Sequence, residues 1–225
     1  MVVLVTGTSS GLGCSLVKQF KKLGHKTIGV SKSKSPETDH VCNLLFENDI
    51  NKTFKNIIAN NDRIDYLILN AGILGNIKKA KYITNTELNN VFKVNLFSNK
   101  LILDLVLNSQ IQIKNVIFIS SGASLKAYDG WLSYCLTKAS LNQLSKCYAI
   151  ENKEIKFISL APGIIQTKMQ DEIIANSEDS FTSISKFKDL YGKNPSPDFI
   201  ANKIVNNLEI INNIEANQAI IIKEG

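Results

Sequence analysis

Met1-Val-Val-Leu-Val-Thr6-Gly7-Thr-Ser-Ser-Gly11-Leu-Gly13 opens the chain, and this stretch decides the fold. Val2 to Val5 is a short apolar run rich in β-branched residues, which reads as a buried strand. Thr6 closes it. Gly7, Gly11 and Gly13 follow in the spacing G-x-x-x-G-x-G, and from Cys14 onward Ser-Leu-Val-Lys-Gln-Phe takes helical periodicity. A strand that passes into a helix through glycines has a physical use. Glycine permits the tight turn and lets the backbone approach a ligand closely. The first N–H groups of the helix and the positive end of its dipole then face that ligand, which favours a phosphate. A glycine-rich turn without a ligand would look the same, so the rest of the chain has to decide.

Working outward, Lys26 to Val30 reads as a second strand, ending at Ser31-Lys32-Ser33, and Val41-Cys42 as a short third. A helix is expected from Ile50 to Asn60 and a fourth strand over Tyr66 to Asn70. Leu88 to Leu107 reads as one long helix, apolar nearly all round, of the kind that is buried on both sides. Val116 to Ser120, Lys156 to Ala161 and Ala219 to Ile222 complete the strands, with a helix over Trp131 to Ile150. Strands alternating with helices predict an α/β fold with a doubly wound, parallel sheet. On that fold Gly7, Ser31, Asn43, Asn70, Ser121 and Pro162 all fall at carboxyl ends of strands, the edge where open parallel sheets bind ligands.

The 225 residues suit a single α/β domain spanning 1–225. With no apolar run near ~18 residues, a transmembrane helix is not expected, and a first strand at Val2 leaves no room for a signal peptide. The net charge of +6 comes from dispersed lysines without a dense basic block, so no nucleic-acid partner and no membrane contact are expected. Cys14, Cys42, Cys135 and Cys147 form no C-x-x-C pair and read as reduced, buried thiols of a cytoplasmic protein. His25 and His40 read as loop residues, and no metal site is expected.

The chemistry gathers around Tyr134 and Lys138, four apart and so on one helix face. A tyrosine has a pKa near ~10, and a nearby ammonium would favour its phenolate. Ser121, thirteen positions before Tyr134 and at a strand end, can hold a carbonyl oxygen beside the phenol. Y-x-x-x-K alone is a weak signal, since many exposed helices carry it. Together with the glycine turn, Asn70-Ala-Gly72 and the serine spacing, the signal is strong.

These features resemble the short-chain dehydrogenase/reductases, in their single-domain branch. The matching residues are Thr6-Gly-x-x-x-Gly-x-Gly13, Asn70-Ala-Gly72, Asn95, Ser121, Tyr134-x-x-x-Lys138 and Pro162-Gly163-x-x-x-Thr167. A narrower likeness, to benzil reductases and sepiapterin-reductase-like proteins, rests on Ser120-Ser-Gly-Ala, Tyr128-Asp-Gly-Trp131, Thr167-Lys-Met-Gln170, Phe187-Lys-Asp-Leu190, Ser196-Pro-Asp-Phe-Ile-Ala201 and the ending Ile221-Ile-Lys-Glu. The resemblance implies a Rossmann-type, mostly parallel seven-stranded sheet with helices on both faces. It implies NADP(H) as cofactor, a small-molecule carbonyl substrate, and a homodimer or homotetramer. Tyr134 would be the proton donor. Lys138 would lower its pKa and bind the nicotinamide ribose, Ser121 would orient the carbonyl, and Asn95 would hold a water behind Lys138. Gly7, Ser9, Ser10, Gly11, Leu12 and Gly13 would surround the phosphates. Ser31 and Lys32 would meet the adenosine ribose, where a basic residue favours NADP over NAD. Asn43 stands where the family usually has an Asp against adenine. Asn70, Ala71 and Gly72 would pass behind the ribose, and Pro162, Gly163, Ile165 and Thr167 would cover the nicotinamide. The segment 165–195 would cover the substrate. For Tyr128, Trp131 and Met169 two readings stay open, lining of an aromatic-accepting pocket and ordinary core packing.

Two other readings remain open at this level. A dinucleotide-sensing protein without turnover would keep the glycine turn, but would have no need of Tyr134 and Lys138. A sugar-nucleotide-modifying relative would have another glycine spacing and a longer C-terminal substrate part.

Overall fold

Six apolar stretches form the body of one parallel sheet: β1 (Val2–Thr6), β2 (Lys26–Ser31), β3 (His40–Val41), β4 (Arg63–Leu69), β5 (Gln112–Ile119) and β6 (Lys156–Ala161). A three-residue strand, β7 (Ala219–Ile221), lies along β6, so the spatial order is β3-β2-β1-β4-β5-β6-β7. The computed structural model describes residues 1–175, 181–213 and 219–221, apart from the side chains of Lys186 and of 219–221. Every pairing among these residues is parallel. β1 lies between β2 and β4. The chain therefore runs outward from β1 to β3, then returns to the other side of β1 and builds the second half of the sheet. This reversal creates a switch point at the carboxyl ends of β1 and β4.

The two-residue alternation of strands sorts the core into two faces. Leu4, Leu67, Val116, Phe118 and Phe157 pack against α2 (Glu47–Ala59), α4 (Ser98–Leu107) and α5 (Leu132–Glu151). Val3, Val5, Ile68, Ile117 and Ile158 pack against α1 (Gly11–Lys22), α8 (Pro197–Asn206) and α9 (Leu208–Asn213). Phe20, Phe54, Phe118 and Phe157 are wholly buried, and each contributes roughly 1.5–3 kcal/mol by leaving water. The five ion pairs among the described residues all use an exposed lysine or arginine, so apolar burial holds the sheet and surface charge adds little. No helix among the described residues is long and apolar enough to cross a membrane.

The long helix expected over Leu88–Leu107 is not continuous. α3 (Asn85–Phe92) starts from a capping box in which Glu87 N donates to Thr84 Oγ1 and Thr84 N donates to Glu87 Oε2. A π turn, Lys93–Phe97, then separates α3 from α4. From the first turn of α4, Ser98 Oγ donates back to Val94 O and Asn99 Nδ2 to Asn95 O, at 2.7 and 2.8 Å. These side-chain donors enter the backbone ladder and favour the break. Nor is the helix apolar all round, because Asn89, Asn90, Lys93 and Lys100 form an exposed polar face.

Smaller departures follow from burial and pairing. β4 and β5 begin earlier than their apolar runs, at Arg63 and Gln112, because the two strands pair along their whole length. His40 pairs with Val30 and so begins a strand. All four cysteines are free, but Cys147 is exposed and only Cys42 is fully buried. Two parts of the sequence reading lie outside the described residues: the last strand's Ile222 with the ending beyond it, and 176–180 of the substrate-covering segment.

Candidate active site

The glycine turn is built by close contact. Gly7 has φ +77°, and a Cβ there would lie 2.8 Å from Asn70 Nδ2. At Gly13 a Cβ would lie 2.2 Å from Gly7 O, so only glycine lets the first turn of α1 press against the loop. Thr6 Oγ1 accepts from the backbone N–H groups of Asn70 and Ala71, at 3.0 and 3.1 Å. Asn70 Nδ2 donates to Thr6 O at 2.9 Å and to Gly7 O at 3.3 Å. At the N-cap of α1, Ser10 makes no side-chain capping bond, so the opening N–H groups of the helix keep their donors. A side chain at Gly11 would come within 3.3 Å of Thr167 Cγ2, which brings the far end of the Pro162–Thr167 loop to the same turn. Leu12 is buried on the helix-α1 face of the core, where Ile165 also packs; Ser9 is half-buried.

Beside the turn, Gly7 N donates to Val30 O at 2.7 Å, which fixes the end of β2 next to it. Ser31 is buried as the last residue of β2, while Lys32 and Lys34 are exposed, and neither has an acidic partner among the described residues. Asn43 is half-buried, and its Oδ1 accepts from Leu45 N at 3.2 Å. The oxygen expected to face adenine is thus engaged within its own loop, in the short Asx arrangement typical of this residue.

Tyr134 and Lys138 lie on α5 and are both buried. Lys138 Nζ sits 5.5 Å from the centre of the Tyr134 ring and donates to Ile119 O, at the end of β5, at 2.7 Å. Burial pushes the Tyr134 phenol up to about 12, although a hydrogen bond with Ser121 works the other way. The cost of burying a phenolate outweighs the Ser121 bond. Burial likewise pulls Lys138 down to about 8.

Ser121 caps a short turn, Gly122–Ser124, with its Oγ accepting from Ala123 N. Behind it Ser120 Oγ donates to Asn142 Oδ1, and Asn142 Nδ2 donates to Ser124 Oγ. Asn95, in the π turn, spends both amide hydrogens on Ile73 O and Thr137 Oγ1 while its Oδ1 accepts from Ile73 N. For a water relay this leaves acceptor capacity only. A Cβ at Gly72 would be 3.4 Å from Asn95 Oδ1 and 3.6 Å from Lys138 Nζ, so Asn70-Ala-Gly72 ends against both side chains.

Sequence reasoning missed Asp129. This residue reaches from the loop before α5 to the N-terminus of α7 (Thr182–Leu190), where its carboxylate accepts from Thr182 N at 2.7 Å and Ser183 N at 2.9 Å. Burial raises its pKa, but these bonds and those of the two hydroxyls outweigh it and leave the carboxyl below its usual range. Asp129 thus ties α7 to the loop that leads into α5, the helix that carries Tyr134. An aromatic cluster fills the space between them: Trp131 lies 5.0 Å from Tyr128, 4.9 Å from Phe187 and 6.1 Å from Tyr134, centre to centre. Tyr128, Trp131 and Met169 all fall in this cluster.

A parallel sheet with a glycine turn at its switch point, with Ser121 just after β5 and Tyr134 and Lys138 on the neighbouring helix α5, is a fold of the dinucleotide-binding kind. The chain belongs to the short-chain dehydrogenase family, whose model matches residues 1–178. It is 31% identical over 224 residues, 92% of each chain, to a Bacillus subtilis benzil reductase that forms (S)-benzoin. The crystal structure of a Saccharomyces cerevisiae short-chain dehydrogenase/reductase superposes with a TM-score of 0.86 at 25% identity, covering 99% of this chain and 96% of that one. A Brucella melitensis 3-ketoacyl-(acyl-carrier-protein) reductase complexed with NADH shares the fold, with a TM-score of 0.81 at 20% identity over 98% and 96% of the two chains. A nicotinamide dinucleotide fits the residues present. At Gly7 and Gly13 a Cβ would strike Asn70 and the Gly7 carbonyl, so glycine keeps the turn tight, and the helix behind it opens with donors that Ser10 does not cap.

Lys138 gives a test by pH. Between about 8 and its ordinary ~10.4, the unfolded chain holds a proton that the folded chain has released, so stability rises with pH across that window. Below about 8 both states are protonated and the contribution is constant. Tyr134, with its folded pKa raised, adds the opposite slope only above ~10. In parallel thermal melts the wild type should gain several degrees on Lys138→Met between pH 8 and 10. A flat difference would mean that the ammonium keeps its ordinary pKa.

Proposed function

We propose that this protein is an NADPH-dependent carbonyl reductase that converts a ketone or vicinal dicarbonyl to an alcohol. One observation carries the reading: a buried tyrosine, hydrogen-bonded to Ser121 and four residues from a buried lysine, beside the glycine cradle. A phenol placed there can give its proton to a carbonyl oxygen, as reduction of a carbonyl requires. The benzil reductase from Bacillus subtilis supports the choice of a dicarbonyl.

A bound nicotinamide would supply the hydride that adds to the carbonyl carbon. The chain's own residues do the rest. Ser121 donates to the carbonyl oxygen and fixes it beside the phenol. Tyr134 gives its proton to that oxygen as negative charge develops there, and is reprotonated from solvent afterwards. Lys138, anchored on Ile119 O, has two further N–H groups for the ribose hydroxyls, and its charge stabilises the transient phenolate. Asn95 keeps Ile73 and Thr137 in place behind it. The Tyr128–Trp131–Phe187 cluster and the segment held by Asp129 exclude water.

NADPH is preferred to NADH in this reading because β2 ends in buried Ser31 followed by Lys32, where a carboxylate would favour the 2′-hydroxyl of NAD. The apolar surface left at Phe97 and Leu136, 48% and 42% exposed, supports a homodimer or homotetramer.

Three measurements bear on this function. Tyr134→Phe should lose 10²–10⁴-fold in kcat while still binding NADPH, and near-wild-type turnover would remove Tyr134 as the acid. Lys32→Ala should weaken NADPH binding roughly tenfold and hardly touch NADH, with the wild-type preference shrinking as salt rises; equal dissociation constants for the two in the unmodified protein at low salt would overturn the cofactor assignment. Sedimentation at micromolar concentration should give a dimer or tetramer, and a monomer would refute the assembly.

A further inference from the structure

Two buried polar side chains in this region have no hydrogen-bond partner among the described residues. Gln170, 2% exposed, leaves both its amide nitrogen and its oxygen unbonded there, and Trp131, 5% exposed, leaves its indole N–H the same way. Buried amides and indoles are normally paired, and an unpaired one costs about 1–3 kcal/mol. Gln170 lies in the first turn of α6 (Lys168–Ala175), three residues after Thr167, which approaches the glycine turn. On a helix its neighbours at i+3 and i+4 are Ile173 and Ile174, and both pack in the cluster that contains Trp131 and Tyr134. The two orphaned groups therefore lie on elements packed into one apolar cluster, the cluster that also contains Tyr134.

Both can donate, and neither carries charge. They suit an acceptor oxygen on a molecule that is otherwise apolar and aromatic, held against Tyr128, Trp131 and Phe187. We propose that Gln170 and Trp131 form a polar subsite for the second, unreduced oxygen of an aryl vicinal diketone, and so set the choice between diketones and simple ketones. The proposal rests on the carbonyl-reductase reading. It adds the residues that would read the substrate's second oxygen. A site built to hydrogen-bond a group discriminates strongly against the analogue that lacks it, because its own polar atoms then stay unpaired.

The test compares 1-phenylpropane-1,2-dione with 1-phenylpropan-1-one, which lacks the second oxygen. In the wild type kcat/KM with NADPH should favour the dione. Gln170→Met, which keeps the volume but not the donor, should cut that preference roughly tenfold. Equal losses on both substrates, or no loss on either, would overturn the subsite. Trp131 is the single tryptophan, so its fluorescence reports binding without turnover. With NADP⁺ present the dione should quench it, and Gln170→Met should raise the dissociation constant about tenfold. A wild type that reduces neither compound yet is quenched by the dione in this way would sink the reductase and keep the subsite. Absence of quenching, or an unchanged dissociation constant, would sink the subsite even in an active reductase. If Gln170→Met does not fold, as thermal melting would reveal, Gln170→Leu serves instead, since its side chain has no donor and the same loss of dione preference is expected.

Discussion

The amide of Asn70 holds the molecule's two halves together at the point where the sheet reverses direction. Its two hydrogens go to the carbonyls of Thr6 and Gly7, and its own backbone N–H goes to the hydroxyl of Thr6. β1 and β4 are thus locked at their carboxyl ends, so the glycine turn after β1 and the Asn70-Ala-Gly72 run after β4 keep a fixed separation. Everything chemical depends on that separation. A Cβ at Gly72 would meet Asn95 and Lys138, and one at Gly7 or Gly13 would meet Asn70, which means that the glycine turn and the Asn95 and Lys138 side chains share one rigid wall.

Burial sets the protonation states on this wall. It moves Tyr134 and Lys138 in opposite directions, since it penalises a phenolate in one case and an ammonium in the other. With no anion formed, Lys138 satisfies itself on a backbone carbonyl, and Ser121 is the group that works against burial of the phenol. The spacing of Tyr134 and Lys138 on α5 brings them into proximity, but the direction of each shift comes from the sheet and the covering helices packed around them.

The sequence was most informative where the cause is local. β-branched runs, a strand passing into a helix through Gly7, Gly11 and Gly13, and the i, i+4 pair on α5 all report their structure within a dozen residues. The π turn is different. Val91, Val94, Ile102 and Leu103 keep an apolar pattern straight through it, and only the polar Asn95, Ser98 and Asn99 hint at a break in the ladder. Asp129 was beyond reach altogether, because its partners lie 53 and 54 residues away and nothing in Tyr128-Asp-Gly-Trp131 marks a cap for a distant helix. At Asn43 the spacing marks a strand-end position, but not that the side chain accepts from Leu45 N in its own loop.

The π turn over Lys93–Phe97 also has an evolutionary consequence. A regular α-helix advances about 100° per residue, so one residue more or fewer between α3 and α4 would turn one helix by that angle against the other. Asn95 would swing away from Ile73 and Thr137, and the wall behind Lys138 would lose its brace. The capping box at Thr84 fixes one end of this ruler and the buried Ile102 and Leu103 fix the other. Along this stretch the chain can drift in residue identity on the exposed side, at Asn89, Asn90 or Lys93, but its length is frozen.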